Sequence, residues 1–288
     1  MPATPSRNPE LIHLSVRGLT FAVWDWPGDD PPLLFAHATS FHGRCWDQVI
    51  REFPEQRCLA IEARGHGRSS KPAPPHHWNS FVDDLMEIAE RLGITGAIGI
   101  GHSMGGHTVT AVAAARPSTF AGLLLADPTI RAPELYGTPP LSVAFIRKRR
   151  VQWDSPAQMG EVYRNRLPFQ RWKPEVLRDY CEFGLLPEGT SFVLACPPDT
   201  EASIYECSKD PMANLHGVIP LVKQPVTVLR AGHSSTNQFS NSPTDPNLAS
   251  RFPCGRDVLL PQCSHFIPME APELIAAHIR ELLPRVRG

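Results

Sequence analysis

Gly101-His102-Ser103-Met104-Gly105-Gly106 is the stretch of this chain best equipped for covalent chemistry. Its first five residues spell G-x-S-x-G, a pattern that sets a serine on a sharp turn between a strand and a helix. The flanks suit such a turn. Ala97-Ile98-Gly99-Ile100 is a small apolar run that reads as a strand, and Thr108 to Ala115 reads as a helix. The turn strains the serine backbone, and glycines two residues to either side give the chain room to bend. It lifts the Ser103 hydroxyl clear of the backbone. It also sets the amide of Met104 at a helix N-terminus, where a free N–H stabilises negative charge. A serine that attacks an acyl carbon further needs a base, an acid to orient that base, and donors for the oxyanion.

Twelve histidines could supply the base. His265, within Gln262-Cys263-Ser264-His265-Phe266-Ile267-Pro268-Met269-Glu270, follows Ser103 in chain order and occupies a loop before the closing helix, as a base does beside this kind of elbow. Cys263 sits two residues earlier with no elbow around it, which counts against a thiol nucleophile. The other six cysteines show no C-x-x-C pairing and read as free, packed thiols.

The elements that must carry these groups follow from periodicity. Leu11–Val16 and Leu19–Trp24 read as an opening antiparallel hairpin, and Pro32–Ala36 as a strand buried on both faces. A helix over Cys45–Phe53 leads to a strand over Arg57–Ile61. A second helix runs from Phe81 to Leu92, with Gly93 as its C-cap. The helix after the elbow reaches about Arg116, and Ala121–Ala126 is a further buried strand ending in Asp127. From Pro128 to about Pro220 the alternation stops, with helical fragments expected at 142–152, 156–165 and 174–183. It resumes with strands at 225–230 and 257–260 and a helix from Pro272 to about Leu283. Alternating strands and helices around one long irregular insertion imply an α/β protein with a mostly parallel central sheet flanked by helices. The expected division is a core of residues 1–127 and 221–288 with an inserted helical cap, 128–220, over the carboxyl ends of the strands.

With these motifs in place the chain resembles the α/β-hydrolase fold superfamily, in its serine esterase, haloperoxidase and C–C hydrolase-like branch. The resemblance rests on the elbow, on Arg64-Gly65-His66-Gly67-Arg68-Ser69 after the 57–61 strand, and on Ser264-His265-Phe266 with Pro268-Met269-Glu270-Ala271-Pro272-Glu273. It covers nearly everything outside the insertion. It implies an oxyanion hole formed by the amides of Met104 and of Thr39, in the loop Ala36-His37-Ala38-Thr39-Ser40-Phe41-His42-Gly43, where Ala38 replaces the family's glycine. It also implies an acid after the penultimate strand, but Ser235 occupies that position, and a hydroxyl cannot stabilise an imidazolium as a carboxylate does. The family's alternative, the end of the strand after the nucleophile's helix, falls on Asp127, with Asp245 and Glu206 in reserve. The implied activity is hydrolysis of a carboxylic ester or lactone through an acyl-serine, with no cofactor. Two alternatives remain open: C–C cleavage of a β-diketone or ring-fission product by the same residues, and a non-catalytic ligand-binding or receptor protein on the same fold.

Phe41, His42, Trp46 and Met104 are expected to line the acyl side of the site, with His37 and His102 as further binding candidates; the aromatic content points to a partly apolar small molecule. Arg147-Lys148-Arg149-Arg150, Arg164, Arg166 and Arg171 in the insertion read either as a solvated face or as one or two arginines turned into the cleft toward an anion. His76-His77 and the His37/His42 pair lack metal-ligand spacing. The loop Arg64–Ser69 lacks the Lys-Ser/Thr of a phosphate loop. Across 288 residues, 28 Lys+Arg against 29 Asp+Glu leave a net charge of −1, which offers no electrostatic case for nucleic acid or membrane partners. A second copy of the chain is the one protein partner left open. Met1–Arg7 has no apolar leader, so a cytoplasmic protein is expected.

Overall fold

The computed structural model describes residues 7–286; the leader reading made on residues 1–6 lies outside them. Strands β1 (Glu10–Val16), β2 (Leu19–Trp26), β3 (Asp29–Ala36), β4 (Gln56–Ile61), β5 (Ala97–His102) and β6 (Phe120–Ala126) are followed by an irregular stretch. That stretch carries β7 (Gln152–Trp153), β8 (Leu185–Glu188) and β9 (Ser191–Leu194), after which β10 (Val226–Ala231) and β11 (Gly255–Leu260) return to the main sheet. The eight-stranded sheet has the order β1-β2-β4-β3-β5-β6-β10-β11, parallel from β4 onward, with β2 antiparallel to both its neighbours.

The continuous apolar runs follow from burial on both faces. In β3, Leu34 packs on one face while Leu33 and Phe35 pack on the other; in β6, Leu123 and Leu125 oppose Leu124 and Ala126. The helices are α1 (Asp47–Ile50), α2 (Trp78–Arg91), α3 (Met104–Ala115), α4 (Pro156–Tyr163), α5 (Pro174–Phe183), α6 (Pro198–Glu206), α7 (Leu248–Arg251), α8 (Ile267–Glu270) and α9 (Pro272–Val286). Val82, Leu85 and Ile88 of α2 with Val109 and Val112 of α3 cover the Leu34 face; Ile275, Ile279 and Leu282 of α9 cover the Phe35 face. The α2 boundary is as its sequence directs: Gly93 takes φ +63° and the Ile94 amide returns to the Ala89 carbonyl at 2.8 Å.

Two expected elements differ. The helix over Cys45–Phe53 is a 3-10 turn at Gly43–Trp46 followed by the single turn α1, because Gly43 must lie flush against β2 and β4: a Cβ there would stand 2.9 Å from the Trp24 ring. The helix over 142–152 is only a 3-10 turn at Ile146–Lys148, since fully buried Trp153 is pulled into pairing with β9. The residues between β6 and β10 are therefore mixed rather than helical. β8 and β9 form a hairpin turning at Gly189 (φ +59°), and β7 adds a third antiparallel strand.

Sheet order decides where a site can form. The chain winds from β3 outward to β4 on one side and through β5 and β6 on the other, so β3 and β5 flank the point where the winding reverses. Open α/β sheets bind ligands at the carboxyl ends of the strands there. Ala36 of β3 pairs with Gly101 of β5 at that edge.

Candidate active site

Ser103 is the residue that carries the strain of the elbow, at φ +54° and ψ −116°. Its glycines serve close approach rather than positive φ. A Cβ on Gly105 would stand 2.1 Å from the Ala36 carbonyl oxygen, and one on Gly101 would stand 2.5 Å from that of Gly105. The first turn of α3 is thus pressed onto the end of β3. Gly105→Ala is expected to cost about 1–3 kcal/mol by overpacking, read as a lowered urea midpoint together with slower turnover; an unchanged midpoint would show that the turn can back away.

Around the Ser103 hydroxyl the hydrogen bonds form one line. Ser103 Oγ donates to His265 Nε2 at 3.0 Å, and His265 Nδ1–H donates to Asp127 Oδ2 at 2.7 Å. Asp127 is fully buried, and its other oxygen accepts from the Ala231 amide (2.9 Å), Ser242 Oγ (2.6 Å) and Thr244 Oγ1 (3.2 Å). Four donors on one buried carboxylate satisfy it without a cation and hold it in one orientation. Its own backbone sits at φ +43°, with the amide tied to the Leu229 carbonyl at 2.7 Å. The His265 ring is fixed from behind as well: its carbonyl accepts from His102 Nε2 at 2.8 Å and its amide donates to the Ser240 carbonyl at 2.8 Å. The reserve acids lie elsewhere. Asp245 accepts from Arg251 (2.8 Å) and the Asn247 amide (2.9 Å), and exposed Glu206 pairs with Arg147 (2.8 Å). Ser235 folds back onto the Asn237 amide at 3.1 Å in its own loop.

Thr39 and Met104 are brought together, the Thr39 hydroxyl donating to Met104 Sδ at 3.6 Å. Several of the expected binding residues serve the scaffold instead. His37 donates from Nδ1 to the Ala38 carbonyl (2.7 Å) and accepts the Ala63 amide on Nε2 (3.1 Å), so both ring nitrogens are spent bracing the Thr39 loop. Burial lowers its pKa to about 4. His42 is buried against Tyr180, donating to that carbonyl at 3.1 Å, with its pKa pushed down to about 3 by the same cause. Trp46 packs under the sheet, 5.3 Å from the Phe35 ring, because the turn that bears it faces α9 rather than the cleft. Phe41 joins Trp172, Tyr180 and Phe266 in an aromatic cluster, and His102 lies behind His265 with its pKa well below 6.5 from burial.

The cavity that opens on Ser103 and His265 measures about 120 Å³ and is walled by other residues, among them Thr129, Arg131, Leu141, Tyr205 and Phe239. Thr129 Oγ1 lies 3.0 Å from Ser103 Oγ and can donate to it while Ser103 donates onward to His265.

The alpha/beta hydrolase family model matches residues 33–278. The chain belongs to the alpha/beta hydrolase family. It is 28% identical over 264 residues to lipase LipV of Mycobacterium tuberculosis, covering 89% of this chain and 95% of that protein. It is 34% identical over 129 residues to a bifunctional esterase/perhydrolase of Acinetobacter calcoaceticus, a match spanning 44% of each protein's length. Among solved structures, the crystal structure of E-2-(acetamidomethylene)succinate hydrolase superposes with a TM-score of 0.76 at 18% identity, over 96% of this chain and all of that one, a likeness of fold. No helix among the described residues is long and apolar enough to cross a membrane.

In this alpha/beta hydrolase, sequence reasoning missed Thr129, Arg131, Tyr205, Phe239, Ser242 and Thr244. A signal existed for the first two. Asp127-Pro128-Thr129-Ile130-Arg131 places a hydroxyl and a cation directly after a buried strand end, where only the Asp drew attention. Tyr205 lies in α6, a helix not expected from the sequence, and Phe239, Ser242 and Thr244 come from an irregular segment with no periodicity to place them.

Proposed function

We propose that this alpha/beta hydrolase is a serine hydrolase that cleaves a small, partly apolar carboxylic ester or lactone through an acyl-serine. The Ser103–His265–Asp127 line, at 3.0 and 2.7 Å, is the observation that carries the reading; the esterase and lipase relatives support a hydrolase. Ser103 Oγ attacks the substrate carbonyl as its proton passes to His265 Nε2. The imidazolium, held in one tautomer by Asp127, then protonates the departing alkoxide. Water, deprotonated by the same nitrogen, attacks the acyl carbon and releases the carboxylic acid, returning the proton to Ser103. The tetrahedral oxyanion falls to the amides of Met104, at the N-terminus of α3, and Thr39; among the described residues neither donates to another backbone group. Each such donor contributes about 2.7–4 kcal/mol to the transition state. The irregular residues 128–220 serve in this reading as the cap that closes the cleft.

A fluorophosphonate probe is expected to add once, at Ser103, and peptide mapping reads the adduct. Ser103→Ala should lose both the label and turnover of 4-nitrophenyl acetate, by about a thousandfold or more. Turnover surviving in the purified alanine variant would overturn the mechanism. A wild-type serine that stays unlabelled would favour the ligand-binding alternative.

A further inference from the structure

Arg131 is set off from the other arginines between β6 and β10 by its place in the wall of the cavity that opens on Ser103 and His265. Arg147 pairs with Glu206, Arg149 with Glu201, Arg164 with Glu161 and Arg171 with Glu270, Arg150 lies over the Trp153 ring, and none of these, nor Lys148 or Arg166, lines that cavity. Arg131 shares the walls of the 120 Å³ cavity with Ser103 and His265. Its Nε–H is buried without an acceptor, and no carboxylate pairs with its guanidinium among the described residues. The titratable groups near it are the phenols of Tyr136 and Tyr205, both uncharged at physiological pH. Burial accordingly draws its pKa downward, the mark of a cation whose water has been removed and not replaced.

A half-buried cation with no carboxylate partner and one N–H sealed from water is a cost a fold rarely keeps unless something arrives to meet it. The backbone beneath this one is held firmly. The Arg131 amide donates to Tyr136 Oη at 3.1 Å, and its carbonyl accepts from His216 Nε2 at 2.8 Å. A guanidinium rooted this way offers a planar fork whose geometry matches a carboxylate. Leu141, Phe239, Pro243 and the Tyr205 ring form the apolar part of the wall, beside the uncharged polar groups of Thr129, Asn241 and Ser242, so the lining holds no carboxylate to compete for the guanidinium.

We propose that the cavity takes a substrate bearing its own carboxylate, a half-ester or an acid-substituted lactone, which Arg131 grips while Ser103 attacks the nearby ester carbonyl. This rests on the acyl-serine reading above and names the substrate class of the same site. Arg131 would act in binding: its fork fixes the acid end, and the small cavity then sets the scissile carbonyl at the nucleophile.

The test compares 4-nitrophenyl hydrogen succinate with its methyl-capped analogue, identical except for the missing charge. Wild type is expected to favour the acid in kcat/KM by about tenfold or more, and Arg131→Met to lower that ratio by about ten- to a hundredfold. Arg131→Lys should retain part of the preference, since it keeps the charge without the fork. A wild-type ratio near one overturns the proposal, as does an Arg131→Met variant that slows both esters equally. Calorimetry with succinate separates this idea from the reading it rests on. Succinate should bind to the Ser103→Ala protein and lose at least tenfold in affinity when Arg131→Met is added. Binding that ignores Arg131 overturns the subsite. Binding that needs Arg131 in a Ser103→Ala protein that still hydrolyses ester supports the subsite and overturns the acyl-serine mechanism.

Discussion

Asp127→Asn is expected to leave the fold in place and to lower kcat by about ten-thousandfold. The amide oxygen can keep the three donors that converge on Oδ1, from Ala231, Ser242 and Thr244. What changes is the other side. An NH₂ group now faces His265 Nδ1 across 2.7 Å, so two donors meet and the ring must shift its proton to Nε2. That nitrogen is then unable to accept from Ser103, and the serine loses its base without losing its place. Fluorophosphonate labelling should slow along with turnover, while the melting temperature moves little. Glu206→Gln, on an exposed residue paired with Arg147, serves as the control and should stay within twofold of wild type. A loss of less than tenfold in Asp127→Asn would mean that another group orients His265.

Acidification should unfold this protein well above the range in which carboxylates titrate. Six buried histidines are held neutral by burial: His37 and His107 with pKa values lowered to about 4, His42 to about 3, His66 and His102 well below 6.5, and His76 lowered as well. In two of them the hydrogen-bond pattern reinforces the effect of burial. His66 Nε2 must accept the Ser40 amide at 3.0 Å while Nδ1 donates to the Arg64 carbonyl, as His37 must accept from Ala63, so each ring needs one bare nitrogen. Below pH 6.5 the unfolded chain takes up protons that the native state does not, so stability falls as pH falls, from 6.5 down to about 4 for His37 and His107. Each group contributes a slope on the order of 1.4 kcal/mol per pH unit within its window. Asp47 and Asp84, raised by burial, act in the opposite sense, in and just above the ordinary carboxylate range. Urea midpoints at pH 7.5 and 5.0 check this: a drop equivalent to several kcal/mol is expected, and equal midpoints would refute it.

The residues of the proposed acyl-transfer site were legible wherever they rested on local order. Ser103 is announced by its own glycines and flanking elements, and His265 by a loop between a strand and the last helix. Asp127 was legible only as an exception, since the loop that ordinarily holds the acid presents Ser235. The alternating strands and helices gave the parallel sheet because burial on both faces leaves unbroken apolar runs such as Leu33–Ala36 and Leu123–Ala126. Substrate contacts were not legible. The aromatic and histidine residues after β3 looked like a pocket wall, yet tertiary packing turns Trp46 under the sheet and commits His37 and His42 to backbone partners. The actual walls come from distant loops and from the end of α6, whose only common feature is where the finished sheet delivers them.

The way the segment between β6 and β10 is rooted limits how it can move. Its first residues are moored to the nucleophile: the Thr129 amide donates to the Ser103 carbonyl at 3.0 Å, and the Ile130 carbonyl accepts the Asp245 amide at 2.8 Å. One residue later Arg131 is strapped to His216, near the far end of the same segment, so entrance and exit are clasped together. The same segment is tied to the core at further points, His107 Nε2 donating to the Ala213 carbonyl (2.9 Å), Trp78 Nε1 to that of Ile204 (2.9 Å) and the Lys173 amide to that of Met269 (2.9 Å), so a rigid swing would have to break several contacts at once. In the reading proposed above Arg131 also meets the substrate's acid, so filling the cleft and steadying that clasp would be one event.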